Sequence, residues 1–176
     1  MATVSLYLCL GSNLGDRKDN IMRAIRLLEK GLGSSVASLS PIVETEPWGY
    51  ESPNRYLNAC ALFRISGKEP FEDHCMQILS LCKETENALG RVQRHPGEGY
   101  SDRPIDIDIL FYGTKKMDTP SLTIPHPRIA VREFVMVPLR KIARGSVRKA
   151  FPEIFRRPSA AENGPAKAGK IEVDKI

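Results

Sequence analysis

Residues 103–113 read R-P-I-D-I-D-I-L-F-Y-G, and this stretch defines the last long strand of the domain. Isoleucine at 105, 107 and 109 alternates with aspartate at 106 and 108, the period of two of an extended chain. Residues i and i+2 of a strand project from one face, roughly 6.6 Å apart. Asp106 and Asp108 therefore point together, while Ile105, Ile107 and Ile109 point into a core and pin the register. Two parallel carboxylates repel, and one pKa rises unless a cation lies between them. Magnesium suits such a pair, because it takes one or two carboxylates together with phosphate oxygens and water at about 2.0–2.1 Å. Taken alone, a D-x-D among isoleucines is simply the acidic outer face of a half-exposed strand. The flanks change that reading: Arg91, Arg94 and Arg103 precede the acids in a loop, and His126, Arg128 and Arg132 follow in I-P-H-P-R-I-A-V-R-E-F. Metal-holding acids among phosphate-holding cations are what phosphoryl transfer requires, since its catalysis is mostly positioning and charge stabilisation.

Upstream of this strand the elements alternate. Val4 to Leu10 is a β-rich run closed by the turn formers G-S-N-L-G-D. Ile21, Ala24, Ile25, Leu28 and Leu32 then recur at helical spacing, with Asp16 placed to cap the start and Gly31 or Gly33 to end it. Ser35 to Thr45 is a strand interrupted near Pro41, as at an edge or bulge, and Tyr56 to Ile65 is the next. Pro70 opens a second helix, whose apolar stripe is Phe71, Cys75, Ile78, Leu79, Cys82 and Leu89. After the acidic strand, Leu122 to Ile124 is extended, and Phe134 to Val137 is expected as a further strand. The order βαββαβ with a β-rich extension predicts an α+β, ferredoxin-like sandwich: an antiparallel-rich sheet with helices packed on it. The segment from 91 to 104 has no apolar period and reads as a surface loop rich in cations. Residues 1–151 form one expected domain, and 152–176, rich in Pro, Ala, Gly and charge, an expected flexible tail.

At 176 residues, 41% hydrophobic and 27% charged, the composition is that of a globular chain. The first apolar run has no basic segment before it and stops at Gly11, well short of a membrane span. Cys9, Cys60, Cys75 and Cys82 lie in apolar segments without metal-ligand spacing, which predicts buried reduced thiols and a cytoplasmic protein. The net charge of +5 suits a phosphate-rich partner, although Lys167, Lys170 and Lys175 in the tail contribute to it.

G-S-N-L-G lacks the lysine and hydroxyl residue of a phosphate loop and is a weak nucleotide signature. Trp48, Tyr50, Tyr56 and Asn58 offer ring faces and an amide. Such residues serve packing in most proteins, but a flat heterocycle would need both kinds of contact.

Together these stretches resemble the 6-hydroxymethyl-7,8-dihydropterin pyrophosphokinase family of folate biosynthesis, over about Val4 to Ile142. The resemblance rests on G-S-N-L-G-D-R, T-E-P-W-G-Y-E-S-P-N-R-Y-L-N-A-C, L-G-R at 89–91, D-R-P-I-D-I-D-I-L-F-Y-G and L-T-I-P-H-P-R-I-A-V-R-E-F-V-M-V-P-L, in that order. It implies transfer of pyrophosphate from ATP to the pterin alcohol, giving AMP, with two magnesium ions held by Asp106 and Asp108. By position it implies a pterin pocket of Thr45, Pro47, Trp48, Tyr56, Asn58 and Phe134. It likewise implies a nucleotide site of Lys83, Glu86, Arg91, Tyr100, Arg103, Ile109, His126 and Arg132, with Arg91 and Arg103 joining the two aspartates as catalytic residues. A monomer with small-molecule substrates is expected, able to associate with other folate enzymes, with no nucleic-acid or membrane partner.

The chain departs from the family where many members carry W-G-P-R. It has Tyr100, Ser101, Asp102 and Arg103 there, so Asp102 adds a negative charge near the expected phosphates. Two other readings compete. A ferredoxin-like RNA-binding module would need an aromatic run of the K/R-G-F-x-F kind, and the strands offer only Tyr7 and Phe63. A D-x-D transferase for another acceptor alcohol would not require the Tyr56, Asn58 and Phe134 matches.

Overall fold

The computed structural model describes residues 2–92 and 99–156, and the backbone of 172–174. Arg94, the three tail lysines and most of the expected tail lie outside the described residues. Strand β1 (Thr3–Ser12) leads through the G-S-N-L-G turn into helix α1 (Arg17–Leu32). The Asp16 carboxylate accepts from the Asp19 amide at the helix start, and Gly33, at φ 62°, ends it in the left-handed region that favours glycine. Strands β2 (Val36–Leu39) and β3 (Ile42–Thr45) are the two halves of the segment broken at Pro41. Strand β4 (Tyr56–Ser66) follows, then helix α2 (Phe71–Ala88) and strand β5 (Asp106–Tyr112).

Strand β4 is inserted antiparallel between β1 and the β2/β3 segments, and β1 lies between β4 and β5. This is the split βαβ arrangement of the ferredoxin-like sandwich, with β5 at one edge. Its alternation sorts side chains into two cores. Leu6, Leu8, Leu10, Ala59, Ala61, Phe63, Ile105, Ile107 and Ile109 meet Ile21, Leu28, Ile78 and Cys82 of α1 and α2. On the other face Tyr7, Cys60, Leu62 and Phe111 form a second core. A bulge pairs Tyr7 with Phe111 but Leu8 with Ile109, so Leu110 is the extra residue and joins Phe111 in that second core.

The second core is covered differently from the sequence expectation. After a two-stranded ribbon of β6 (Met117–Asp118) and β7 (Thr123–Ile124), the segment expected as a strand at 134–137 is helical. It belongs to α3 (Glu133–Ile142). The β-branched Val135 and Val137 favour extension locally, but Val135, Met136, Leu139 and Ile142 recur at helical spacing and bury together on the sheet. Burial of that stripe outweighs the propensity and tolerates Pro138 within the helix. Helices α4 (Gly145–Ala150) and α5 (Pro152–Phe155) complete the layer. In α5, Phe155 stacks on Phe111 with ring centroids 6.1 Å apart. A final strand, β8 (Glu172–Asp174), pairs antiparallel with β3. No helix among the described residues is long and apolar enough to cross a membrane. All four cysteines are buried and free, as expected.

Candidate active site

The site lies on the sheet face opposite α1 and α2, at the C-terminal end of β1 and the start of β5. Register sets its floor: Cys9 pairs with Cys60 and Asp108, and Gly11 with Asn58 and Asp106. Both aspartates thus emerge on one face beside Asn58. Gly11 is required for this approach, since a Cβ there would stand 2.7 Å from the Asn58 side-chain oxygen. The Asn58 amide donates to Thr45 Oγ1 at 3.0 Å, with both residues buried.

Three arginines converge on the acids from separate segments. Arg91 Nη1 lies 2.5 Å from Asp106 Oδ1 and 2.6 Å from Glu86 Oε1. Arg103 reaches Asp106 at 3.3 Å, and Arg132 reaches Asp108 at 3.5 Å. Glu86 also accepts from the Ile107 amide at 2.7 Å, which satisfies an N–H on the edge strand. Burial pushes the Glu86 carboxyl up to about 7 despite Arg91 beside it, and Asp106 and Asp108 add to the rise. Burial and Asp106 likewise push Asp108 up to about 7, against the lowering pull of the three arginines. The Cys9 thiol is raised by its hydrogen bond to Cys60, then by burial. Burial and the charges of Arg132 and Arg128 hold His126 down at about 4, so its imidazole is neutral near pH 7.

A cavity open on one side brings most of the expected residues together. Thr45, Trp48, Tyr56, Asn58, Tyr100, Arg103, Asp106, Asp108, Arg132 and Phe134 all line it. The Arg132 guanidinium lies between two rings, 4.8 Å from Trp48 and 5.6 Å from Phe134. Its Nε is buried without a hydrogen-bond partner among the described residues.

Other expected residues do not line the cavity. Glu86 and Arg91 act on it through Asp106, while Pro47 sits in the loop between two lining residues, Glu46 and Trp48. Lys83 is exposed on α2, and His126 is half-buried after β7. The Ile109 side chain is buried in the core on the helix side of the sheet, which leaves only its backbone, on the edge strand, to meet a nucleotide.

Sequence reasoning missed Asn13 and the part played by Asp102, and gave Tyr50 no position. Asn13 clamps the backbone of Arg103 on both sides: its amide N–H donates to Arg103 O at 3.1 Å, and its Oδ1 accepts from Arg103 N at 2.7 Å. Its Nδ2 donates to Asp102 Oδ1 at 2.8 Å. The negative charge expected beside the phosphates is instead turned into a ring of donors. Within G-S-N-L-G, Gly11 leaves space beside Asn58, Asn13 grips the Arg103 backbone, and Gly15 adopts φ 68° at the turn.

The model of the 7,8-dihydro-6-hydroxymethylpterin-pyrophosphokinase family matches residues 7–144. The chain belongs to this family. A 2-amino-4-hydroxy-6-hydroxymethyldihydropteridine pyrophosphokinase of Porphyromonas gingivalis is 42% identical over 139 residues, covering 78% of this chain and 90% of that protein. The Bacillus subtilis pyrophosphokinase is 36% identical, covering 78% and 77%. A folate synthesis bifunctional protein of Arabidopsis thaliana is 41% identical over 134 residues, 76% of this chain but 26% of that longer protein. Among solved structures, an HPPK-DHPS in complex with substrates superposes with a TM-score of 0.62 at 13% identity, covering 88% of this chain and 43% of that one, which speaks to the fold. The pyrophosphokinase described here is thus a transferase of folate synthesis, and the RNA-binding reading falls away.

Proposed function

We propose that the chain transfers pyrophosphate from ATP to 6-hydroxymethyl-7,8-dihydropterin, releasing AMP, and that it requires magnesium. The observation that carries this reading is the adjacency of two half-sites: an acid pair ringed by Arg91, Arg103 and Arg132, and beside it a flat pocket with an amide at its edge.

The acid pair fits the metal. Asp106 and Asp108 share one face, and burial together with their mutual repulsion leaves Asp108 reluctant to ionise without a cation. Magnesium takes one or two carboxylates and completes its shell from phosphate and water. Asp106 and Asp108 would hold two magnesium ions, which would neutralise phosphate charge and polarise the attacked phosphoryl group.

The remaining roles belong to side chains. Phe134 and Tyr56 offer faces to the pterin, and Asn58 and Thr45 offer hydrogen-bonding groups to its edge. Arg103 and Arg132, which line the cavity, stabilise charge on the transferred group, and Arg91 supports them through Asp106. Trp48, Tyr50 and Tyr100 wall the cavity against water; Tyr50 and Tyr100 are stacked with centroids 6.3 Å apart, and Trp48 meets Tyr100 edge-on at 6.5 Å. Buried free thiols support a reducing, cytoplasmic setting. A monomer is proposed, and the bifunctional relatives support association with other folate enzymes.

Incubation with ATP, magnesium and the pterin alcohol should yield AMP in step with pterin diphosphate. ADP as the sole nucleotide product refutes the reading. Chelation, or Asp108→Ala, should remove turnover on the order of 10³-fold or more, and activity that survives both removes the metal assignment.

A further inference from the structure

We propose that Asp102 is a positioning residue of the transfer reaction: it latches the segment bearing Arg103 to the pterin wall before ligands arrive. The proposal rests on the pyrophosphokinase reading for its kinetic part only.

Four side-chain donors from two distant segments meet on this one carboxylate. Oδ1 accepts from Asn13 Nδ2 at 2.8 Å and from the Tyr50 hydroxyl at 3.1 Å. Oδ2 accepts from Ser52 Oγ at 2.9 Å and from Asn54 Nδ2 at 2.5 Å. Burial alone would raise the carboxyl pKa, yet these donors hold it below its ordinary value, so the anion is the form they bind. Hydrogen bonds to an ionised acceptor are about twice as strong as neutral ones. Four of them on a loop residue exceed what a surface aspartate ordinarily makes.

The latch has two arms. One is Asn13, which binds Asp102 and the Arg103 backbone at once, so holding Asp102 also holds the Cα from which the Arg103 side chain reaches Asp106. An arginine has many rotamers, and it meets a phosphate reproducibly only if its backbone is fixed. The second arm is Tyr50, whose hydroxyl lies 2.9 Å from that of Tyr56, a wall of the pterin pocket. Asp102 therefore joins the charge-stabilising arginine to the pterin wall, and it touches neither substrate site directly, since it does not line the cavity.

The test is a double-mutant cycle. Asp102→Ala should lower kcat by about 10- to 100-fold, the cost of a small misplacement of a catalytic group, and should raise both KM values less. In an Arg103→Ala background the same change should alter kcat by less than about twofold, because the charged group it positions is gone and the Tyr50 arm that remains bears on the pterin KM. Asp102→Asn keeps the shape but replaces one acceptor oxygen by a donor, and should show the same non-additivity with a smaller loss; it serves if the alanine variant folds poorly. Full additivity in the cycle overturns the proposal, because a general loss of structure would weaken either background alike. A second readout needs no activity: backbone amide exchange at Asn13 and Arg103 should accelerate at least tenfold in Asp102→Ala, and unchanged protection also overturns the latch. A wild-type enzyme that makes no AMP would refute the function instead, and amide exchange would still decide the latch.

Discussion

Glu86→Gln should make the ligand-free protein more stable, and only at neutral to alkaline pH. Glu86 is 6% exposed and its carboxyl is raised from 4.5 to about 7, chiefly by burial. A carboxyl with a raised pKa holds its proton more tightly in the fold than in the unfolded chain. Its favourable contribution is thus complete below pH 4.5 and is lost as pH rises through about 7. The gap between those values, at about 1.4 kcal/mol per tenfold, amounts to roughly 3 kcal/mol at pH 8. Glutamine keeps an oxygen that can accept from Ile107 N and Arg91 Nη1, so neither of those donors loses its acceptor. Urea unfolding of both proteins at pH 4.5, 6, 7 and 8, extrapolated to water, should show the variant ahead by about 3 kcal/mol at pH 8 and the two curves converging near pH 4.5. Asp108 also titrates near 7 in both proteins, and because its charge adds to the rise at Glu86 the difference reports Glu86 together with that repulsion. A gap independent of pH, or a variant less stable at pH 8, would refute the reasoning. Glu86 shares Arg91 Nη1 with Asp106, so the carboxylate also bears on how that guanidinium is held.

Gly11→Ala should reproduce much of Asn58→Ala: the added Cβ, 2.7 Å from the Asn58 oxygen, must displace that amide, and removing it outright loses a buried hydrogen-bonding group. Titration should show pterin affinity weakened about tenfold or more in both variants, with ATP affinity little changed; equal losses for the two ligands would contradict the pocket assignment. Phe155→Ala should cost about 1–2 kcal/mol through its stack on Phe111, seen as a lower Tm, with kcat unaltered because Phe155 lies outside the cavity. A change in kcat at constant stability would argue against α5 as purely structural.

Local rules made much of the fold legible. Period-two alternation put both aspartates on one face and three isoleucines in a core, and Asp16 and Gly33 mark the ends of α1 where capping chemistry requires. The expected strand at 134–137 failed for a non-local reason: V-M-V reads as extended until Leu139 and Ile142 are counted against a sheet face that the sequence does not display. Its correction matters to the site, because α3 begins at the point where Arg132 and Phe134 enter the cavity. Asp102 was left without a role for a similar reason. A lone acid near expected phosphates reads as repulsive, and the donors that neutralise it come from residues 13 and 50–54.

By itself the sequence determined what adjacent residues decide: element type, strand facing, helix ends and, through five ordered motifs, the family. Only the tertiary structure decided which charge meets which. Arg91, Arg103 and Arg132 approach Asp106 and Asp108 from a helix end, a loop and the start of another helix, and Asn13 grips Arg103 from 90 residues away. Covalent geometry fixes where neighbouring side chains point, whereas contacts between distant segments exist only once burial of the two cores has brought the backbone together.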